Sequence, residues 1–436
     1  MHLPEKFKEK YEKLLGSEAQ AFLQTFDQPA VSGFRVNPLK QVQQKFANPI
    51  ANMPWSYYGK ISGKSLAHAT GLVYSQEPAA QVVAQIAKAE SGMRVLDLAA
   101  APGGKSTHLL SYMNNQGILV SNEISRKRSK ILVENMERFG ARNALVTNET
   151  PERLANVFPA YFDLIVLDAP CSGEGMFRKD PEAMQYWSET YPTECARLQR
   201  EILVEALKML KAGGSLIYST CTWAPEENEE VVKWLLKEYP YLELIPIAKF
   251  NGMQAGIDQP ETARIYPHHF QGEGQFIAKL KDTRPSEKSV KIRSGKTNLS
   301  REQLSYWQDF AGKHLTISLS GLFQVFGDQL YLLPEGLPDL AKVKIARNGL
   351  HLGTFKTKRF EPSFALGMAL KSDEVKKSIA LDDEQALQYL SGHTISLTID
   401  RPNGWYQVLA QGNGLGFAKW VNGTLKNYYP KGLRLK

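Results

Sequence analysis

At 436 residues the chain exceeds one ordinary domain and has length for a large buried core with smaller appended modules. Its 43% hydrophobic and 22% charged residues are globular values, no apolar run reaches the ~20 residues that a membrane-spanning helix needs, and the start MHLPEKFKEKYEKLLG lacks a signal peptide's apolar stretch. Three cysteines at unrelated spacings argue against a disulfide framework or a zinc site, which points to a cytoplasmic protein with reduced thiols, and the net charge of +8 favours a polyanionic partner.

Residues 1–70 open on a helical pattern and pass through FRVNPLK and MPWSYYG, a small accessory domain of mixed helix and strand. Over 71–282 apolar runs alternate with amphipathic stretches. RVLDL, GILVSNE, ALVT, FDLIVLDAP, GGSLIYSTC and GQFIAKL read as strands, and KSTHLLSYM and RLQREILVEALKMLKAGG read as helices. This alternation predicts an α/β fold, a Rossmann-like doubly wound sheet. Residues 283–300 are polar and basic and read as a linker. Short strands with glycine-rich turns then predict two β-rich units, at 301–371 and 372–436.

Three motifs fall where strands end. Cys171 lies in LIVLDAPCSGEGMFRKDP and Cys221 in GGSLIYSTCTWAPEENEEVV, each after an apolar run that opens into a turn. If those runs are parallel strands, both thiols stand at the carboxyl edge of one sheet, where open α/β sheets bind ligands. The third motif, MRVLDLAAAPGGKSTHLL, supplies Ala99, Ala100, Ala101, Pro102, Gly103 and Gly104 before a helix that begins near Lys105. Small residues there let backbone amides approach a ligand. Twenty residues after Gly103, Glu123 ends the next strand, a position suited to gripping ribose hydroxyls. A relaxed P-loop is the rival reading of 99–106, with Asp168 as a Walker B acid. It lacks the first glycine and gives Glu123, Cys171 and Cys221 no task.

With these motifs the sequence resembles the class I S-adenosylmethionine-dependent RNA cytosine carbon-5 methyltransferases, more closely the bacterial RsmF group that acts on small-subunit ribosomal RNA. DLAAAPGGKSTHLL resembles the family's cofactor loop, Asn122-Glu123 its ribose acid, DAPCSGEGMFRKDP its proline-cysteine motif and STCTWAPEENEEVV its threonine-cysteine motif. IYPHHFQGEGQFIAKL is similar to the hairpin that closes the sheet, and GLVYSQEPAA to the segment entering the domain. More weakly, FRVN is similar to the N-terminal RNA-binding domain, and GLGFAKWVNGTLKNYYPKGLR to the C-terminal PUA-like RNA-binding module. Where relatives place an aspartate near the adenine, this chain reads VTNETP. Glu149 is assigned that place, with Asn148 as the alternative.

The resemblance implies a chemistry that the residue types suit. Carbon 5 of cytosine is a poor nucleophile until a thiolate adds to carbon 6. Cysteine serves because its pKa of ~8.5 leaves some thiolate at neutral pH, more beside a positive charge or a helix N-terminus. By the family's pattern Cys221, read as lying just before a helix start, attacks, and Cys171 assists proton removal or release. Asp168 stabilises ring nitrogen 3, in protonated form or with a shared proton, and Lys105 donates to that carboxylate or to the substrate. Asp168 also counts among the cofactor-binding residues, with 99–105, Glu123 and Glu149. The implied cofactor is S-adenosylmethionine, and the implied partner is small-subunit ribosomal RNA or the 30S subunit, bound by a monomer with no membrane. A transfer RNA substrate and a non-catalytic ribosome-assembly factor are the alternatives.

The remaining features read more plainly. Residues 341–360 carry six Lys or Arg and no acid, and the tail TLKNYYPKGLRLK carries four and no acid. Both interleave aromatics and suit RNA. Cys195 reads as a buried small hydrophobe. His268 and His269 have no third ligand spaced near them, so no metal is expected, and Trp405 and Phe417 read as β-core rather than base-stacking residues.

Overall fold

The structure is a computed structural model describing residues 3–285 and 295–435. Half of the expected linker at 283–300, residues 286–294, therefore lies outside the described residues. Two short helices, Glu5–Leu15 and Ala19–Gln24, open the chain. A three-stranded antiparallel sheet follows, with β1 (Gly33–Val36) between β2 (Ser56–Tyr58) and β3 (Val73–Ser75). The helices bring Phe7, Tyr11, Phe22 and Phe26 against Phe177, Trp187, Trp223 and Tyr266, an aromatic core that joins the N-terminus to the two cysteine motifs.

The large sheet begins with five strands, β4 (Arg94–Asp97), β5 (Ile118–Asn122), β6 (Ala144–Thr147), β7 (Phe162–Asp168) and β8 (Leu210–Thr220). They pair in parallel in the order β6-β5-β4-β7-β8. Their side chains alternate between two cores with the period of two that a sheet imposes. Val95, Leu119, Val146, Val166 and Ile217 face one core, and Leu96, Val120, Leu145, Ile165 and Leu216 face the other. Helices such as Pro78–Ala87, Gly104–Met113 and Tyr191–Met209 cover the faces. Because β4 leads outward to β5 and β6 while β7 returns on its other side, the connections diverge at β4. That divergence opens a crevice above the carboxyl ends of β4 and β7.

Four further strands extend the β8 side: β9 (Leu242–Leu244), β10 (Gln254–Gly256), β11 (Gln259–Ile265) and β12 (Gln275–Asp282). β12 runs antiparallel to β8, β11 pairs with β12 as a hairpin, and β10 is the outermost strand on that side.

Beyond the linker, the helix Arg301–His314 is capped by a reciprocal Ser300/Gln303 box. β13 (Leu322–Phe326), β14 (Gln329–Leu333), β16 (Leu350–Lys356) and β17 (Arg359–Pro362) form an antiparallel sheet. Between β14 and β16 the chain leaves this sheet, and β15 (Ile345–Arg347) pairs antiparallel with β6 at the far edge of the large sheet. The last unit is a five-stranded sheet of β18 (Ser378–Leu381), β19 (Ile395–Ser396), β20 (Gly404–Ala410), β21 (Asn413–Val421) and β22 (Thr424–Lys426).

β15 changes the reading of the basic stretch 341–360. Arg347 is buried and donates to the carbonyls of Ala144 and Ala141, so it covers a sheet edge and is withheld from RNA. Lys342, Lys344, Lys356, Lys358 and Arg359 remain exposed. Among the described residues no helix is long and apolar enough to cross a membrane.

Candidate active site

The glycine-loop residues 99–104 connect β4 to the helix Gly104–Met113. Gly103 has φ +113°, a conformation open to glycine, and a Cβ there would press on Leu132. A Cβ on Gly104 would crowd Gln76 at 3.1 Å. The loop's carbonyls are held by protein donors: Arg128 reaches Ala101, Asn135 and Tyr74 reach Pro102, and the buried Arg35 reaches Gly104. Arg35 comes from FRVN in the N-terminal sheet and also binds Gln76 and Thr107, which ties the first domain to the loop.

Asp97 sits beneath the loop. Ser106 donates to its Oδ2 at 2.7 Å, while its Oδ1 is buried with no partner. Burial pushes this carboxyl up to about 6, against the Ser106 hydrogen bond and the Lys105 charge. Glu123, buried at the end of β5, accepts from the Ser125 amide at 2.8 Å and faces the exposed Arg128 guanidinium at 3.5 Å. Glu149 is buried beyond β6, and its Oε1 accepts from the Lys344 amide at 2.9 Å. The Asn148 side chain is spent on the carbonyls of Glu123 and Ile124.

Across the crevice, Asp168 ends β7. Its Oδ2 meets Lys105 Nζ at 2.5 Å, and its Oδ1 accepts from Ser219 and Gln275 at 2.7 and 3.0 Å. Burial disfavours the Lys105 ammonium, but the Asp168 carboxylate outweighs it, with smaller help from Asp97 and Cys221, and holds the lysine above its ordinary value.

The two cysteine motifs meet at this edge. Cys171 Sγ and Cys221 Sγ are 3.3 Å apart, both are free thiols and both are partly exposed. Ser172 and Thr222 share a hydrogen bond at 2.9 Å, so the motifs are paired at two successive positions. Gly175 donates its amide to the Cys221 carbonyl at 2.9 Å, and a Cβ there would stand 2.7 Å from that oxygen. Glu174, fully buried, gathers Tyr11, Trp187 and Thr222 as donors. The Cys171 thiol is pushed well up, first by its hydrogen bond with Cys221 and then by burial.

The sequence pattern places Cys221 just before a helix start. In the structure the helix Glu229–Glu238 begins eight residues later. Backbone hydrogen bonds to Ala224 and Pro225 hold the intervening residues in a turn, and Asn228 binds back to Thr220 and Thr222. The positive charge beside Cys221 is Lys105, not a helix end.

His268 and His269 do find a third side chain. Both Nε2 atoms approach one Glu18 oxygen, at 3.1 and 2.8 Å, because the N-terminal helices pack over the β11–β12 connection. The three donor atoms lie within 4.8 Å of one another. His268 Nδ1 is buried without a partner, and a cation on Nε2 would force the ring proton onto that atom. Both rings can instead donate Nε2–H to the Glu18 carboxylate, an arrangement that needs no ion. Cys195 is buried and pushed up to about 12, an inert thiol. Phe417 lies in the C-terminal core, and Trp405 is half-buried against Tyr428.

This arrangement has relatives. Family models match end to end: the N-terminal domain of 16S rRNA methyltransferase RsmF at 3–78, 16S rRNA methyltransferase RsmB/F at 84–281, the RsmF first C-terminal domain at 309–370 and the RsmF PUA domain at 376–435. Ribosomal RNA small subunit methyltransferase F of Shewanella loihica is 34% identical over 94% of this chain and 91% of its own. The protein of that name from Escherichia coli O17:K52:H18 is 32% identical over 94% and 92%. The chain belongs to this methyltransferase family. It is an enzyme, with the family's Rossmann-like catalytic domain, N-terminal domain and PUA module. Among solved structures, a methyltransferase homologue from Pyrococcus horikoshii is 28% identical with a TM-score of 0.56, covering 64% of this chain and 95% of its own. NSun6 from the same organism, 22% identical over 65% of this chain and 99% of its own with a TM-score of 0.56, shares the fold.

Sequence reasoning misses Asp97, Arg35, Glu174, Glu227 and the Lys344 amide. Asp97 is legible as the acid of VLDLAAAPGG. The others act across roughly 50 to 200 residues of sequence, and no local pattern marks such contacts.

Proposed function

We propose that the protein is an S-adenosylmethionine-dependent methyltransferase that forms 5-methylcytosine in small-subunit (16S) ribosomal RNA through a covalent Cys221 adduct. The observation that carries this reading is the 3.3 Å pairing of Cys171 and Cys221 beside the Lys105–Asp168 ion pair at the crevice of the sheet. The names of the relatives support the substrate.

The residues present fit the cofactor. Gly103 and Gly104 leave a cradle that a Cβ would disturb, and the orphaned Asp97 Oδ1 is a buried acceptor for a cationic amine. Residues 99–105, Asp97, Glu123 and Asp168 would hold S-adenosylmethionine, Glu123 toward the ribose and Glu149 toward the adenine. The cofactor supplies an electrophilic methyl group.

Cys221, beside the Lys105 ammonium, adds as thiolate to carbon 6 of the flipped cytosine. Negative charge moves to ring nitrogen 3, where Asp168 and the Lys105 proton it shares stabilise it. Carbon 5 thereby becomes the nucleophile. Once it carries the methyl group its proton leaves with help from Cys171, and elimination frees Cys221. The exposed lysines of 342–359 and the tail would grip the surrounding RNA.

The test is transfer of labelled methyl from S-adenosylmethionine to separated small subunits, large subunits, naked ribosomal RNA and transfer RNA, followed by nucleoside analysis. Label in 5-methylcytosine from small-subunit RNA is expected. Label from transfer RNA alone would overturn the target, and label in no pool would favour an assembly factor.

A further inference from the structure

Glu227 lies behind the proline-cysteine motif with no exposed surface. Its Oε2 accepts the Ser172 amide at 2.9 Å and Gln199 Nε2 at 2.7 Å, and Gln199 also donates to the Pro170 carbonyl at 3.0 Å. The carboxylate thus grips the chain on both sides of Cys171. Its second oxygen, Oε1, is buried with no partner. A buried carboxyl with one bare oxygen costs stability unless that oxygen has a task.

We propose that Glu227 is the proton partner of Cys171: it fixes the Cys171 loop and takes the Cys171 proton once Cys221 is bonded to the substrate base. The proposal rests on the roles given above to Cys221 and Cys171. Glu227 acts through Cys171 and is a positioning residue.

The trigger is the adduct. The largest cause raising Cys171 is its hydrogen bond to Cys221, ahead of burial, with the charges of Cys221, Glu227 and Asp168 behind. When the Cys221 sulfur is bonded to carbon 6 it carries no negative charge, and that first cause disappears. Burial meanwhile pushes Glu227 up to about 7, against the hydrogen bonds from Ser172 and Gln199 and with Glu174 raising it further. Its charge also acts on Cys195 and Tyr191 of the helix Tyr191–Met209 and on Tyr218 of β8. All three are shifted up and stay protonated near neutrality. Glu227 is therefore the acceptor for the Cys171 proton.

The step balances. The Cys171 S–H bond breaks and an O–H bond forms on Glu227. The Cys171 thiolate takes the proton from carbon 5, the C–H pair becomes the carbon 5–carbon 6 double bond, and the carbon 6–sulfur bond breaks to return Cys221 as thiolate. Glu227 then loses its proton to water.

The test uses the full-length Glu227→Gln protein with small-subunit ribosomal RNA and labelled S-adenosylmethionine in rapid-quench experiments. Adduct formation at wild-type rate is expected, with the methylated adduct accumulating because release slows by about 10²-fold, the scale of a lost general base. Glu227 must be ionised to accept, so wild-type release rises with pH through about 7, and the Glu227→Gln profile is flat there. Release at the wild-type rate with the same profile would overturn the proposal. If Glu227→Gln fails to fold, Glu227→Asp decides: slowed release that keeps the pH dependence supports the role, and a flat profile refutes it. The neighbouring Glu226→Gln should leave release unchanged. Should Cys171→Ala trap no adduct, the Cys171 role above fails; an adduct with Cys171→Ala but normal release with Glu227→Gln defeats this proposal alone.

Discussion

The two halves of the crevice are built differently. On the β4–β7 side, Lys105, Asp168, Cys171 and Cys221 come from three strand-end motifs of the catalytic domain, and the thiols remain partly exposed. On the β5–β6 side, Glu123 and Glu149 are buried, and Glu149 is occupied by an amide from the first C-terminal domain, delivered by β15. The half proposed to react is local to one domain, and the half proposed to hold the adenine is closed by another. Substitutions on the first half should act on the chemical steps, and those on the second on cofactor binding.

The largest effect is expected from Cys221→Ala, which should lower methyl transfer by at least about 10³-fold while calorimetry still shows cofactor binding. Lys105→Ala removes the cation facing both Asp168 and Cys221, and kcat should fall about 10²-fold with a smaller change in KM, read in steady-state assays. Lys344→Pro deletes the amide that Glu149 accepts and leaves both active-site motifs intact. Cofactor affinity should drop by about 1–2 kcal/mol, roughly 5- to 30-fold in Kd, with turnover at saturating cofactor preserved. A large fall in kcat instead would dissolve the distinction between the halves.

The smallest effects separate the two kinds of arginine and lysine in 341–360. Replacing exposed Lys356, Lys358 and Arg359 by Gln should reduce the salt dependence of RNA binding, by about 0.7 in log–log slope for each phosphate of single-stranded RNA that is no longer neutralised, with little change in melting temperature. Arg347→Met should do the reverse, because it strands two buried carbonyls and touches no phosphate.

What is legible in the sequence follows the same division. The parallel strands, the glycine loop and both cysteine motifs are contiguous stretches whose period and turn chemistry announce them, and the fold class follows from their alternation. β15 is hidden because a three-residue strand in a basic loop has no period of its own, and its partner β6 lies about 200 residues away. Charge alone therefore assigns Arg347 to RNA when burial assigns it to the sheet. The turn after Cys221 misleads for a related reason. APEENEE has the composition of a helix start, but Asn228 is tied to Thr220 and Thr222, which delays the helix to Glu229. Glu18 and its two histidines show the converse, a cluster assembled by packing alone.

The chemistry turns on which sulfur attacks. Small-subunit RNA carrying 5-fluorocytosine at the target cannot lose a proton from carbon 5, so incubation with the wild-type protein and S-adenosylmethionine should trap the adduct for peptide mapping by mass spectrometry. RNA attached to the peptide containing Cys221 is the expected result. Attachment to the peptide containing Cys171 would reverse the two roles and contradict the mechanism.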